Sequence, residues 1–76
     1  MGIKRYVEFQ LKKAKEYAEE HRLWMVEGAE QAAFGAIEYF TLYATETDSK
    51  IVAEIEKWWD EEIRPQFLEA IRNSIE

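Results

Sequence analysis

A chain of 76 residues with 16 acids against 10 bases, a single histidine and no cysteine excludes a disulfide staple and a thiolate zinc site. So small a chain buries only about 60% of the surface its unfolded form exposes. Its margin must come from dense packing of its Trp, Tyr and Phe side chains or from self-association. No window approaches the roughly 18 apolar residues of a membrane span. The basic start "MGIKRYVEFQ" leads into no apolar segment, so a cytoplasmic location and no membrane partner are expected.

The net charge of −6 is unevenly placed. Met1 to Arg22 hold six bases and four acids, Leu23 to Asp48 five acids and no base, and Ser49 to Glu76 four bases and seven acids. A middle third of one sign repels phosphate backbones, so nucleic acid is not an expected partner. Few glycines, one proline and abundant Ala, Glu, Lys and Ile indicate one helical domain over 1–76.

The first helix is predicted from an apolar stripe at 100° per residue. Ile3, Tyr6, Val7, Gln10, Leu11, Ala14, Tyr17, Ala18, His21, Trp24 and Met25 share one arc, opposite Lys, Arg and Glu. Phe9 falls outside it. The second helix, "GAEQAAFGAIEYFTLYAT", has small residues that admit close helix approach. A wide apolar arc leaves only a strip of Glu27, Glu30, Gln31, Glu38 and Thr41, with Phe34 inside that strip. That width predicts the central, most buried helix. No Ser, Thr, Asn, Asp or Pro occurs between Met1 and Phe40, so no ordinary cap marks where one helix ends and the next begins. A turn within Leu23 to Gly28 gives a three-helix bundle. Without it, the first two helices fuse through Gly28 into a long hairpin that dimerises into a bundle.

"TETDSK" is clear punctuation, with Thr47, Asp48 or Ser49 able to cap the third helix. Beyond it Ile51, Ile55, Trp59, Ile63, Phe67, Ile71 and Ile75 recur every four residues. In a straight helix each step drifts about 40°, more than one face can absorb over the whole run. Pro65 removes a donor and clashes with the carbonyl of Glu61, so the helix is expected to kink or break there. Trp58 and Trp59 straddle the stripe as core residues or as part of a contact surface. Glu62 falls near the inward arc, where it could meet His21 as a buried polar pair.

No glycine-rich phosphate loop, Gly-x-Ser-x-Gly elbow or Glu-x-x-His pair is present, so neither a catalytic centre nor a cofactor or metal site is expected. A small helical enzyme would have to enlist Arg5, Arg22, Arg64 or Arg72 with His21 and Glu62. The expectation is an acidic helical interaction module, an adaptor or accessory subunit, binding a protein partner that can be a second copy of itself. Its contact candidates are Phe9, Phe34, Trp58 and Trp59. The alternative is an acidic inhibitor or nucleic-acid mimic that occupies a basic cleft.

Overall fold

The computed structural model describes residues 2–44 and 49–75. It is an all-α bundle: α1 (Gly2–Glu19), α2 (Leu23–Ala44), and a third rod formed by α3 (Ser49–Trp58), a π-helical turn (Trp59–Ile63) and α4 (Arg64–Ile75). The three rods run up, down and up. Lys4 lies over the Trp58 ring and Lys15 reaches Gln66, so α1 and the third rod are parallel. The bundle measures 42 × 17 × 16 Å, its long axis matching the roughly 40 Å that the third rod spans at 1.5 Å per residue.

Helices α1 and α2 are separate, and Gly28 is neither a turn nor a fusion point. It lies inside α2, whereas the chain reverses at Glu20–Arg22, ahead of the expected turn. The reversal is a Schellman motif. His21 takes the left-handed conformation at φ 57°, its N–H donates to the Ala18 carbonyl at 3.0 Å, and the Arg22 N–H donates to the Tyr17 carbonyl at 3.0 Å. The contact that usually closes this motif is apolar. Here the Arg22 guanidinium lies 5.9 Å from the Tyr17 ring centre. The Arg22 carbonyl then accepts the Met25 and Val26 N–H groups to start α2. Thr47 and Asp48 lie outside the described residues; Ser49 is the first residue of α3.

The core stacks along the bundle axis. Val7, Leu11, Ala14 and Ala18 of α1 meet Val26, Ala29, Ala33 and Ile37 of α2 and Ile55, Trp59, Ile63, Phe67 and Ala70 of the third rod. Small residues on α1 and α2 bring those two backbones close, and the bulky side chains come from the third rod. The Trp59 ring packs 5.7 Å from Phe67 and 5.8 Å from Phe34, within the range of favourable tilted aromatic pairs. Ser74 is the one described polar residue in the buried set, and its hydroxyl donates to the Ile71 carbonyl at 2.7 Å.

The π turn explains how a four-residue repeat stays inward. It holds more residues per turn than an α-helix, so it takes up the drift where the drift matters. Ile55, Trp59, Ile63 and Phe67 are all buried. Away from the turn the drift returns: Val52 replaces half-buried Ile51 at one end, and Ala70 and Ser74 replace Ile71 and exposed Ile75 at the other. Pro65 sits just past the turn, whose closing bond runs from the Arg64 N–H to the Trp59 carbonyl. The widened ladder accommodates the missing proline donor without ending the rod.

Candidate interaction surface

The third rod covers one side of the α1–α2 pair. Among the described residues nothing covers the other side. Helix α2 is therefore not the most buried element; its wide apolar arc is two faces, one in the core and one in solvent. Trp24 is 87% exposed, Leu42 70%, Tyr39 65% and Tyr43 63%. At 100° per residue these fall with Met25, Gly28, Ala32 and Gly35 on the side of α2 away from Val26, Ala33 and Ile37. Helix α1 adds Phe9, at 55%, and Tyr6.

Two recesses, one toward each end, show how the helices build this face. At one end Ile3 and Tyr6 of α1 and Ala36, Tyr39, Phe40, Tyr43 and Ala44 of α2 form a groove open along one side. Apart from the phenol groups, its walls are hydrocarbon. Tyr39 and Tyr43, one turn apart, pack as a tilted pair with ring centres 4.5 Å from each other. At the opposite end Phe9, Lys13 and Tyr17 face Trp24, Met25 and Gly28, and the Lys13 ammonium sits 5.6 Å from the Phe9 ring centre. The first recess is open and apolar, and the second adds Gln10 and Lys13 to its walls, surfaces that suit a protein segment better than a small molecule.

A second, polar cleft lies between α1 and α4, where Lys15, Glu19, His21, Gln66, Glu69 and Asn73 come together. Lys15 Nζ donates to Gln66 Oε1 at 2.7 Å, and Gln66 Nε2 donates to the Glu62 carbonyl oxygen at 2.7 Å. This chain ties α1 to the end of the π turn through a half-buried glutamine. It links the two rods along their polar edge.

The sequence-derived candidates divide. Phe9 stands on the open face. Phe34 is 44% exposed but leans on Trp59 between α2 and the third rod, so it belongs to the edge of the core. Trp58 is half-buried beneath Lys4. Trp59 is 4% exposed and belongs to the core, because the π turn keeps it inward with Ile63. The proposed buried pair of His21 and Glu62 is corrected: both side chains are exposed. His21 closes α1 in the left-handed position, and the π turn rotates Glu62 off the inward arc that a straight helix would give it. Arg5, Arg22, Arg64 and Arg72 are exposed too, so no arginine faces an interior cavity. Among the described residues no three His, Asp or Glu side chains are grouped to hold a metal ion.

Trp24, Tyr39, Leu42 and Tyr43 are the most exposed large apolar residues of this face, whereas the apolar arcs of the sequence place them inward. The available signal was an apolar arc on α2 wider than a single packed neighbour can cover.

Fold and face together define a small all-α bundle with one uncovered helix–helix seam. Comparison with known protein-family models, with curated proteins and with solved structures gives no match in any of the three. Among the described residues no helix is long and apolar enough to cross a membrane.

Proposed function

We propose that this chain is a protein-interaction module, an adaptor or accessory subunit, whose working part is the outer face of α1 and α2. The observation that carries the reading is the concentration of large exposed aromatics on that seam. Single exposed apolar residues are ordinary on a protein surface, whereas contiguous patches rimmed by polar groups mark contact sites. Tyr and Trp are the side chains that binding surfaces favour.

A photoreactive side chain replacing Trp24 is expected to cross-link to protein in cells that make the chain. The same group replacing Lys57, exposed on α3, is expected to give little adduct. Equal yields from the two positions would show that the seam is not a contact surface.

A further inference from the structure

Resting on the reading of this seam as a protein-binding face, we propose that its occupant is a second copy of the chain. The two copies pair face to face about a two-fold axis parallel to the helices, so that α1 of each lies antiparallel on α2 of the other.

The first argument is area. Tyr6, Phe9, Trp24, Met25, Tyr39 and Tyr43 are between 39% and 87% exposed. At roughly 200 Å² per large side chain they present on the order of 700 Å², close to the roughly 800 Å² per partner of a stable interface. A two-fold interface uses the same patch twice, so one such face per chain suffices.

The second argument is the pair of glycines inside α2. Gly28 and Gly35 are exposed, have no positive φ, and an added Cβ on either meets nothing within 4 Å. Neither a turn nor close packing within the chain requires them, yet glycine is the least favourable helix residue after proline. Both lie on the uncovered side, with Ala32 between them, where a helix from outside could approach the α2 backbone closely.

The third argument, charge, selects the second copy and its orientation. At 100° per residue the α1 rim of the face carries Arg5 and Lys13 against Glu16, and the α2 rim carries Glu27 and Glu38, the latter also bordering the groove toward Trp59, with no base. Tyr6 shares a groove with Tyr39, and Lys13 shares a recess with Gly28. Arg5 therefore stands level with Glu38, and Lys13 with Glu27. Rotation about an axis parallel to the helices preserves those levels and crosses the rims, bringing Arg5 and Lys13 of one copy to Glu38 and Glu27 of the other. The perpendicular two-fold axis would set acidic α2 on acidic α2, which like-charge repulsion disfavours.

The test is mass in solution by light scattering over a dilution series, with helicity followed by circular dichroism. The wild-type chain is expected to reach twice its chain mass, and Tyr39→Glu, at an exposed position, is expected to stay monomeric and fully helical. Glu27→Lys with Glu38→Lys is expected to raise the dimer dissociation constant about tenfold. Adding Arg5→Glu and Lys13→Glu to that variant is expected to restore most of the affinity, since the crossed pairs are re-formed with signs exchanged. A dimer that ignores Tyr39→Glu, or a four-site variant no tighter than the two-site one, overturns the arrangement. A wild-type chain monomeric at every concentration that still cross-links through position 24 overturns self-pairing alone. If it cross-links to nothing, the interaction reading goes with it.

Discussion

His21 occupies a backbone position where the identity of one side chain can be weighed almost by itself. Its φ of 57° places Cβ against the following carbonyl, at a penalty of about 1–2 kcal/mol for an ordinary L-residue. His tolerates this region better than most residues. Glycine removes the clash but gains freedom in the unfolded chain, which returns about 0.4–1 kcal/mol. His21→Gly compared with His21→Ala therefore isolates the Cβ, and the glycine variant is expected to be more stable by about 1 kcal/mol, or roughly 4–8 °C in melting temperature for a chain of this size. Wild type should fall between them. The assay is thermal and urea unfolding of the three proteins by circular dichroism at one protein concentration. Because the His21 and Arg22 N–H groups keep their partners in every variant, lost hydrogen bonds cannot imitate the effect. Equal midpoints for Gly and Ala, or a higher midpoint for Ala, would refute the assignment of the reversal to residue 21.

Phe67 is fully buried against Trp59, so Phe67→Ala is expected to destabilise by about 3–5 kcal/mol, enough to leave a chain this small largely unfolded by circular dichroism. Gln66→Ala severs the link from Lys15 to the Glu62 carbonyl. Because the link is exposed, the loss should be only about 0.5–1 kcal/mol by urea titration, and a larger loss would mean that the π turn depends on it. Gly28→Ala and Gly35→Ala, measured in solution dilute enough to hold the chain monomeric, are each expected to stabilise by about 1 kcal/mol, because an added methyl meets nothing and alanine favours the helix. Acrylamide should quench the Trp24 emission strongly and the Trp59 emission weakly in single-Trp variants, matching their 87% and 4% exposures; similar quenching of the two would contradict the placement of the π turn.

Much of the bundle was legible because helical periodicity is strong where one face is apolar. The α1 stripe of Val7, Leu11, Ala14 and Ala18 and the four-residue interval from Ile55 to Phe67 both lie where the spacing predicts. The disturbance next to Pro65 follows from the missing donor, although a π turn rather than a break resolves it. The α1–α2 boundary was not legible, because the motif that reverses the chain puts His at a position usually held by Gly and employs none of the ordinary capping residues. The outer face was misjudged for a different reason. Apolar patterning reports which positions avoid water, and it does so equally for a core inside one chain and for a surface that another chain covers. Trp24, Tyr39 and Tyr43 look the same in either case until the third rod is placed. Glu62 moved because phase arithmetic along a uniform helix carries every later residue with it, and one widened turn changes the sum.

The widened turn between Trp59 and Ile63 also binds two features of the chain's history together. A π turn is in effect an α-helix with one residue inserted, so deleting a residue from it would restore a regular rod and leave both halves in phase. That regular rod would place the proline ring against the carbonyl four residues back. Deletion is therefore harmful while the proline stays. Lineages descended from this chain should lose the inserted residue and the proline together, or keep both.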